Sequence, residues 1–199
     1  MSSNVATESK AENRILRIGI SQYPSTLHPG IETMVAKFYV LGMLSRSITR
    51  YDPDWNLVCN LCITLPTIEN GLAKVETTPD GKDGLAVTFE IPNNVKWGDG
   101  TPLTAEDIYF SWQVGRDSKT GSNGLDFFRR TYAFDIVDAQ TFTLHIDKVV
   151  FDYNDLSQFY PLPKHLDEVV FKENSTEYRH RTLYNSDATN PGLWNGPYL

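Results

Sequence analysis

One stretch, residues 95–112, constrains the fold more than any other: VKWGDGTPLTAEDIYFSW. Gly98 and Gly100 flank an aspartate, so the chain can reverse direction there. Thr104 with Asp107 three residues later is the pattern of a capping box at a helix start. Apolar residues then recur at helical spacing, at Ala105, Ile108, Tyr109 and Trp112. The stretch therefore predicts the end of a strand, a tight turn and a helix with one apolar face.

The residue order from Trp97 to Trp112 resembles the signature of the family 5 extracellular solute-binding proteins, the peptide, dipeptide and nickel receptors of bacterial ABC importers. The run GDGTPLTAEDI carries this resemblance. It implies a mixed α/β fold of the periplasmic-binding-protein type II kind, in which a partial first lobe carries an inserted second domain of sheet and helix. It further implies a periplasmic protein that binds an oligopeptide, requires no cofactor and delivers its ligand to the membrane permease subunits of the importer.

The same resemblance implies a division of the chain into four parts. Residues 1–13 are expected to form a disordered tail, and residues 14–50 a first-lobe segment. Residues 51–158 correspond to the second domain, and residues 159–199 to the return to the first lobe. Because family members are much longer, the resemblance implies an N-terminal portion that lacks the domain completing the cleft. The polar start has no apolar core of a signal peptide, and only the resemblance implies that a signal peptide has been removed.

Hydrophobic periodicity predicts the individual elements. Residues 14–20 alternate like a first strand, and residues 31–44 keep the spacing of an amphipathic helix. Residues 73–91 predict a hairpin turned at Pro79-Asp80-Gly81, with Leu85, Val87, Phe89 and Ile91 on one face. A second hairpin is predicted over residues 132–146. Both hairpins are expected in the sheet of the second domain.

The resemblance also implies where the ligand lies. The loop after the first strand faces the cleft in the family, which places five residues at or near the ligand: Tyr23, Pro24, Ser25, Thr26 and Leu27. The segment before the end of the chain is the second candidate, with Asn195, Gly196, Pro197 and Tyr198. The signature-bearing domain stands beside the cleft, so the signature itself is expected to be scaffold.

The two cysteines, Cys59 and Cys62, form a Cys-x-x-Cys pair whose state the sequence leaves open. Such a pair can be redox-active, half a zinc site or a short-loop disulfide. The pair lies in an apolar stretch before Pro66, and the four histidines are isolated. We therefore expect two free buried thiols, with a disulfide as the next alternative and redox or metal chemistry last.

Composition excludes several function classes. The formal net charge of −7 argues against a nucleic-acid surface. No apolar run approaches the roughly 18 residues of a membrane span.

Asp99, Glu106 and Asp107 could imitate a glycosidase pair, but turn, helix dipole and cap explain them, so we expect neither catalytic residues nor a metal site. The alternatives to a peptide receptor are a stand-alone α/β protein-interaction domain and a receptor for nickel, haem or an oligosaccharide.

Overall fold

The computed structural model describes residues 17–198 and has a mixed α/β fold. The helices are α1 Val35–Leu44, α2 Ala105–Arg116, α3 Leu125–Arg130, α4 Lys164–Glu173, α5 Tyr178–Arg181 and α6 Leu183–Ser186, with a 3₁₀ turn at Pro191–Leu193. The strands are β1 Thr49–Tyr51, β2 Leu57–Cys59, β3 Ala73–Thr77, β4 Asp83–Glu90, β5 Thr131–Ile136 and β6 Thr141–Ile146. No helix in this described part is long and apolar enough to cross a membrane.

Both predicted hairpins are confirmed, and they join into one antiparallel sheet with the strand order β3-β4-β6-β5. Strand β4 pairs with β6 through Val87 opposite Leu144 and Phe89 opposite Phe142. The inward side chains of β4 are almost fully buried, as their alternation predicts. A separate two-stranded ribbon pairs β1 with β2. The sheet therefore has one apolar face to cover.

Within residues 17–198, buried apolar residues form two clusters. The sheet cluster consists of the inward face of the four-stranded sheet, the signature stretch and neighbouring loops, with members including Leu85, Phe89, Trp97, Ile108, Trp112, Phe134, Phe142 and Phe159. The helical cluster joins α1 and the last third of the chain, with Ile31, Leu41, Phe110, Val114, Leu162, Tyr178, Tyr184, Leu193 and Trp194. Helix α2 contributes to both clusters.

Helix α2 is the predicted signature helix, and its capping box is confirmed. The backbone N–H of Thr104 donates to Asp107 Oδ2 at 2.9 Å. The predicted apolar face packs into the sheet cluster, and a second buried face that the pattern did not predict, with Phe110 and Val114, packs into the helical cluster. The helix is thus sandwiched between the two clusters rather than laid on one of them.

Two polar groups of α2 fasten the returning chain to this helix. Asp107 Oδ1 accepts the backbone N–H of Lys164 at 2.9 Å, and the Ser111 hydroxyl accepts that of Leu162 at 2.7 Å. Burial raises the pKa of Asp107, although the backbone N–H groups of Thr104 and Lys164, which donate to its carboxylate, oppose that shift. Asp107 therefore both caps its own helix and positions the start of α4.

Two element predictions near the N-terminus need correction. The predicted strand over residues 14–20 does not form in its described part: residues 17–20 pair with no strand among residues 17–198, and Ile18 and Ile20 are exposed. Residues 14–16 and the predicted tail 1–13 lie outside the described residues. The predicted helix 31–44 begins only at Val35, since Ile31 forms an isolated bridge with Ser122 instead.

The expectation of free thiols is wrong, because Cys59 and Cys62 form a disulfide. The turn after β2 brings their Cα atoms to 5.0 Å, within the range that a disulfide requires. The backbone N–H groups of Asn60 and Leu61 both donate to the carbonyl of Ile48, which tightens this turn. Hydrophobic pattern alone could not reveal that geometry.

Candidate functional site

A cavity of about 410 Å³ opens where three segments of the chain meet. The segments are the chain leading into α1, the end of α2 with the loop and helix that follow it, and the stretch before α4. Side chains on its wall include Thr33, Phe38, Ser111, Asn123, Phe127, Phe128, Asp152, Asp155, Phe159 and Tyr160. Its volume falls in the range of small-ligand pockets, and aromatic rings with a few polar groups are their usual lining.

None of the nine predicted ligand residues lines this cavity, although the first group leads directly into it. Tyr23 is 92% exposed, whereas Pro24 and Thr26 are buried and Leu27 packs against the helical cluster. The Ser25 hydroxyl donates to the carboxylate of Glu32. The next residue, His28, is the first on the cavity wall. The role of these residues in ligand binding stays a prediction.

The second predicted group lies at the other end of α1. The backbone N–H of Gly196 donates to the carbonyl of Leu44 at 2.8 Å. Asn195 is 3% exposed, and its Oδ1 accepts the backbone N–H of Arg46 at 2.7 Å. Pro197 and Tyr198 are exposed. Because a ten-residue helix is about 15 Å long, the two predicted groups do not converge on one point.

A buried chain of hydrogen bonds anchors the segment on the cavity wall. His28 Nδ1 accepts the backbone N–H of Gly30 at 3.1 Å, so the ring proton sits on Nε2 and donates to the Tyr178 hydroxyl at 3.1 Å. Tyr178 in turn donates to Asp167 Oδ2 at 2.9 Å. Complete burial, and then the charge of Lys37, lower the pKa of His28 to about 3. This histidine is therefore neutral, with both ring nitrogens engaged.

A second buried group, the ammonium of Lys37, holds the same segment from α1. Lys37 Nζ donates to the carbonyls of His28 at 3.0 Å and Ile31 at 2.7 Å, and also to that of Glu32. Burial lowers its pKa to about 8. Glu32 takes a left-handed backbone conformation, with φ of 56°. The carbonyls gathered on Lys37 fix residues 28–32 in a shape that an unsupported loop would not keep.

The acidic residues of the signature stretch have structural roles. The three carboxylates from which a glycosidase pair could be drawn are all engaged structurally: Asp99 with His165 at 2.9 Å, Glu106 with Lys164 at 2.7 Å, and Asp107 in the helix cap. Across residues 17–198, no three His, Cys, Asp or Glu side chains converge as metal ligands would. The cavity wall carries aromatic rings, hydroxyls, two amides and two carboxylates.

Sequence reasoning missed the residues that line the cavity. Phe127 and Phe128, which pack against the sheet cluster while only partly buried, also line this cavity. A signal was present in the polar run before them, DSKTGSNG, since loops at an element boundary often carry binding residues. Nothing in the local pattern marked residues 152–160 as their partners across the cavity.

Comparison with known proteins agrees with this picture. The sequence model described as bacterial extracellular solute-binding proteins, family 5 Middle, matches residues 67–198. The oligopeptide-binding protein OppA of Bacillus subtilis is 25% identical over 203 residues, an alignment covering 92% of this chain and 32% of that protein. The dipeptide-binding protein of Lactococcus lactis is 31% identical over 119 residues, covering 59% of this chain and 19% of that protein. The chain thus spans about a third or less of these relatives.

The fold has matching solved structures. The oligopeptide-binding protein from Thermus thermophilus, solved with a pentapeptide, superposes with a TM-score of 0.70 at 24% identity, covering 86% of this chain and 31% of that one. The expected fold class, mixed α/β of the periplasmic-binding-protein type II kind, is confirmed as a partial match. With a family match across most of its length, this chain belongs to the bacterial extracellular solute-binding proteins of family 5.

Proposed function

We propose that this chain contributes the ligand-facing part of a receptor that captures oligopeptides for a bacterial ABC importer. The observation that carries the proposal is the cavity of about 410 Å³, which lies between the two clusters and beside the predicted ligand loop. Its two walls belong to different parts of the predicted division, first lobe and second domain. The family membership and the printed names of the relatives, oligopeptide-binding and dipeptide-binding, support a peptide.

The lining suits a peptide better than a metal ion, since no cluster of three metal-ligating side chains occurs among the described residues. Peptide receptors can hold a ligand through its backbone and leave each side chain a roomy pocket. Three rings, Phe127, Phe128 and Phe159, give such a pocket apolar walls, while polar side chains such as Thr33 and Gln158 also line it. The predicted residue groups at the two ends of α1 are separated by about 15 Å, the length of about five extended residues. An extended peptide could therefore touch both groups.

The proposed setting is the periplasm, with the importer's permease subunits as partners. The Cys59–Cys62 disulfide supports an oxidising compartment, because cytosolic thiols are usually kept reduced. The proposed division keeps the predicted bounds, with residues 51–158 as the second domain beside first-lobe segments 14–50 and 159–199. The proposed activity is binding without catalysis.

The test is native mass spectrometry of the chain and of its complete gene product. We expect a ladder of short-peptide masses on the complete product. The informative variant is Gly115→Ala, because an added Cβ would collide with the Phe128 ring and force that ring into the cavity. Peptide occupancy should fall about tenfold while the fold is kept.

The matched control is Gly42→Ala, a glycine in α1 with nothing near its would-be Cβ. This variant should keep its peptide occupancy and gain up to about 1 kcal/mol of helix stability. A single non-peptide mass retained in every preparation would show that the ligand is another solute and not a peptide. An occupancy that Gly115→Ala leaves unchanged would remove the cavity from the proposal.

A further inference from the structure

An exposed aromatic surface lies on the β1–β2 ribbon, outside the cavity. Trp55 at the ribbon tip is 81% exposed, and its ring centroid is 6.1 Å from that of Tyr51, which is 45% exposed. Phe151, which precedes Asp152 in the chain, is fully exposed. A solvent-exposed tryptophan at the tip of a ribbon lacks the burial by which large aromatic side chains usually stabilise a fold. We call Tyr51 and Trp55, with the carboxylates of Asp54, Asp152 and Asp155, the ribbon surface.

The backbone holds Trp55 outward in a defined position. Its φ is 64°, a left-handed conformation that is unfavourable for a bulky side chain. Asp52 keeps the turn in that shape, since its Oδ1 accepts the backbone N–H groups of Asp54 and Asn56, each at 2.9 Å. The indole is therefore presented by a fixed turn and not by a loose loop, so little entropy would be lost when a partner covers it.

Carboxylates lie near Tyr51, and another precedes Trp55 in the chain. Tyr51 donates its hydroxyl to Asp155 Oδ2 at 2.8 Å, and the pKa of Tyr51 is raised by this hydrogen bond, by the charge of Asp155 and by that of Asp152. Asp54 lies exposed on the ribbon itself. These negative groups outnumber the ribbon's own guanidinium, that of Arg50. The surface combines aromatic faces with negative charge, which is the chemistry that recognises arginine and lysine side chains.

We propose that the ribbon surface docks a protein partner whose contacting face is rich in arginine and lysine. A second copy of this chain is a poor occupant, because two chains of net charge −7 repel each other. An anionic bilayer is disfavoured for the same reason. Asp152 and Asp155 also line the cavity, so the partner would sit beside its mouth. Identifying this partner with the importer's permease subunits rests on the proposed function; the basic chemistry of its face does not.

The test follows the resonances of the 199-residue chain by NMR during titration with acetyl-RGRGRG-amide, and with acetyl-EGEGEG-amide as the matched acidic peptide. The basic peptide should shift the Trp55 indole signal and lose affinity as salt is raised. Trp55→Gly should weaken binding about tenfold, as the loss of a central aromatic contact does, and Asp54→Asn about two- to threefold. Val169→Ala, an exposed change on α4, should alter nothing.

Trp55→Gly suits this test because glycine accepts the left-handed conformation, so its thermal midpoint should be unchanged or higher. Equal shifts with the acidic peptide, or no shift at Trp55, would overturn the proposal. So would binding to vesicles of 3:1 phosphatidylcholine and phosphatidylglycerol, or self-association in sedimentation that Trp55→Gly abolishes. If Gly115→Ala abolished binding and Trp55→Gly left it unchanged, the peptide would bind in the cavity. That result would contradict the proposed ribbon surface but not the proposed function.

Discussion

The sheet cluster and the helical cluster are stabilised in different ways. The sheet cluster is filled by apolar side chains that alternate along paired strands, and Phe142 stacks between Phe89 at 5.6 Å and Phe134 at 5.2 Å. The helical cluster instead surrounds buried titratable groups: His28, Lys37 and Asp167 are each at most 1% exposed. Apolar packing tolerates changes of pH, whereas a buried polar network depends on the protonation of its members. The stability of the helical cluster, which lies next to the predicted ligand loop, is therefore expected to depend more strongly on pH.

The largest expected effect is the loss of Phe142, which tests the apolar half of this comparison. Phe142→Ala removes a fully buried ring from the centre of the stack and should lower the free energy of unfolding by about 3–5 kcal/mol. Denaturant titration followed by circular dichroism measures this change. Thr143→Ala on the opposite face, where Thr143 and Thr88 hydroxyls lie 2.9 Å apart, should cost about 1 kcal/mol. Equal costs for the two variants would mean that the sheet is not held by its inner face.

The second effect tests the pH-dependent half of this comparison. The pKa of His28 is about 3 in the folded chain against 6.5 ordinarily, so between these values the unfolded chain binds the extra proton. The contribution of neutral His28 to the free energy of unfolding is complete above pH 6.5. It is lost as the pH falls, by at most about 1.4 kcal/mol per pH unit. From about pH 6.5 to about pH 5 the free energy of unfolding should therefore drop by about 2 kcal/mol.

Two histidine variants separate this effect from general acid titration. His28→Gln should be less stable at neutral pH but show a flatter pH dependence over that same interval than the unmodified chain. His180→Gln, which changes a histidine outside the buried network, should keep the original slope. If the slope of His28→Gln matched that of the unmodified chain, the buried neutral imidazole would not be the source of acid sensitivity.

The same contrast explains how much the sequence could predict. Alternation at Leu85, Val87 and Phe89 predicted both a strand and its buried face, because period two is a local property. The box of Thr104 and Asp107 was equally local. The partner of His28 is Tyr178, which is 150 residues away, and no local pattern reports a bond of that kind.

The candidate site was predictable only in part, for a related physical reason. The family resemblance led to the loop 23–27, which ends one residue before the cavity wall. The cavity itself is the gap left where three distant segments pack imperfectly, so its residues share no periodicity. Lys37 is a second example of a position that the sequence could not predict. A lysine within an apolar helical pattern suggests an exposed position, yet its ammonium is surrounded by backbone carbonyls that only the folded loop supplies.

The smallest expected effect concerns the disulfide at the border of the sheet cluster. Cys62 is 8% exposed and packs in that cluster, whereas Cys59 on β2 is only partly buried. Because the bridge closes a loop with a sequence separation of 3, its loss should destabilise the chain by about 2 kcal/mol or less. The comparison is between the unmodified chain and Cys59→Ser/Cys62→Ser, by denaturant titration with and without a reducing agent. The reductant should shift only the unmodified chain, and the pH slope assigned to His28 should stay the same. A changed slope would show that the two clusters are coupled through helix α2 and do not contribute independently to stability.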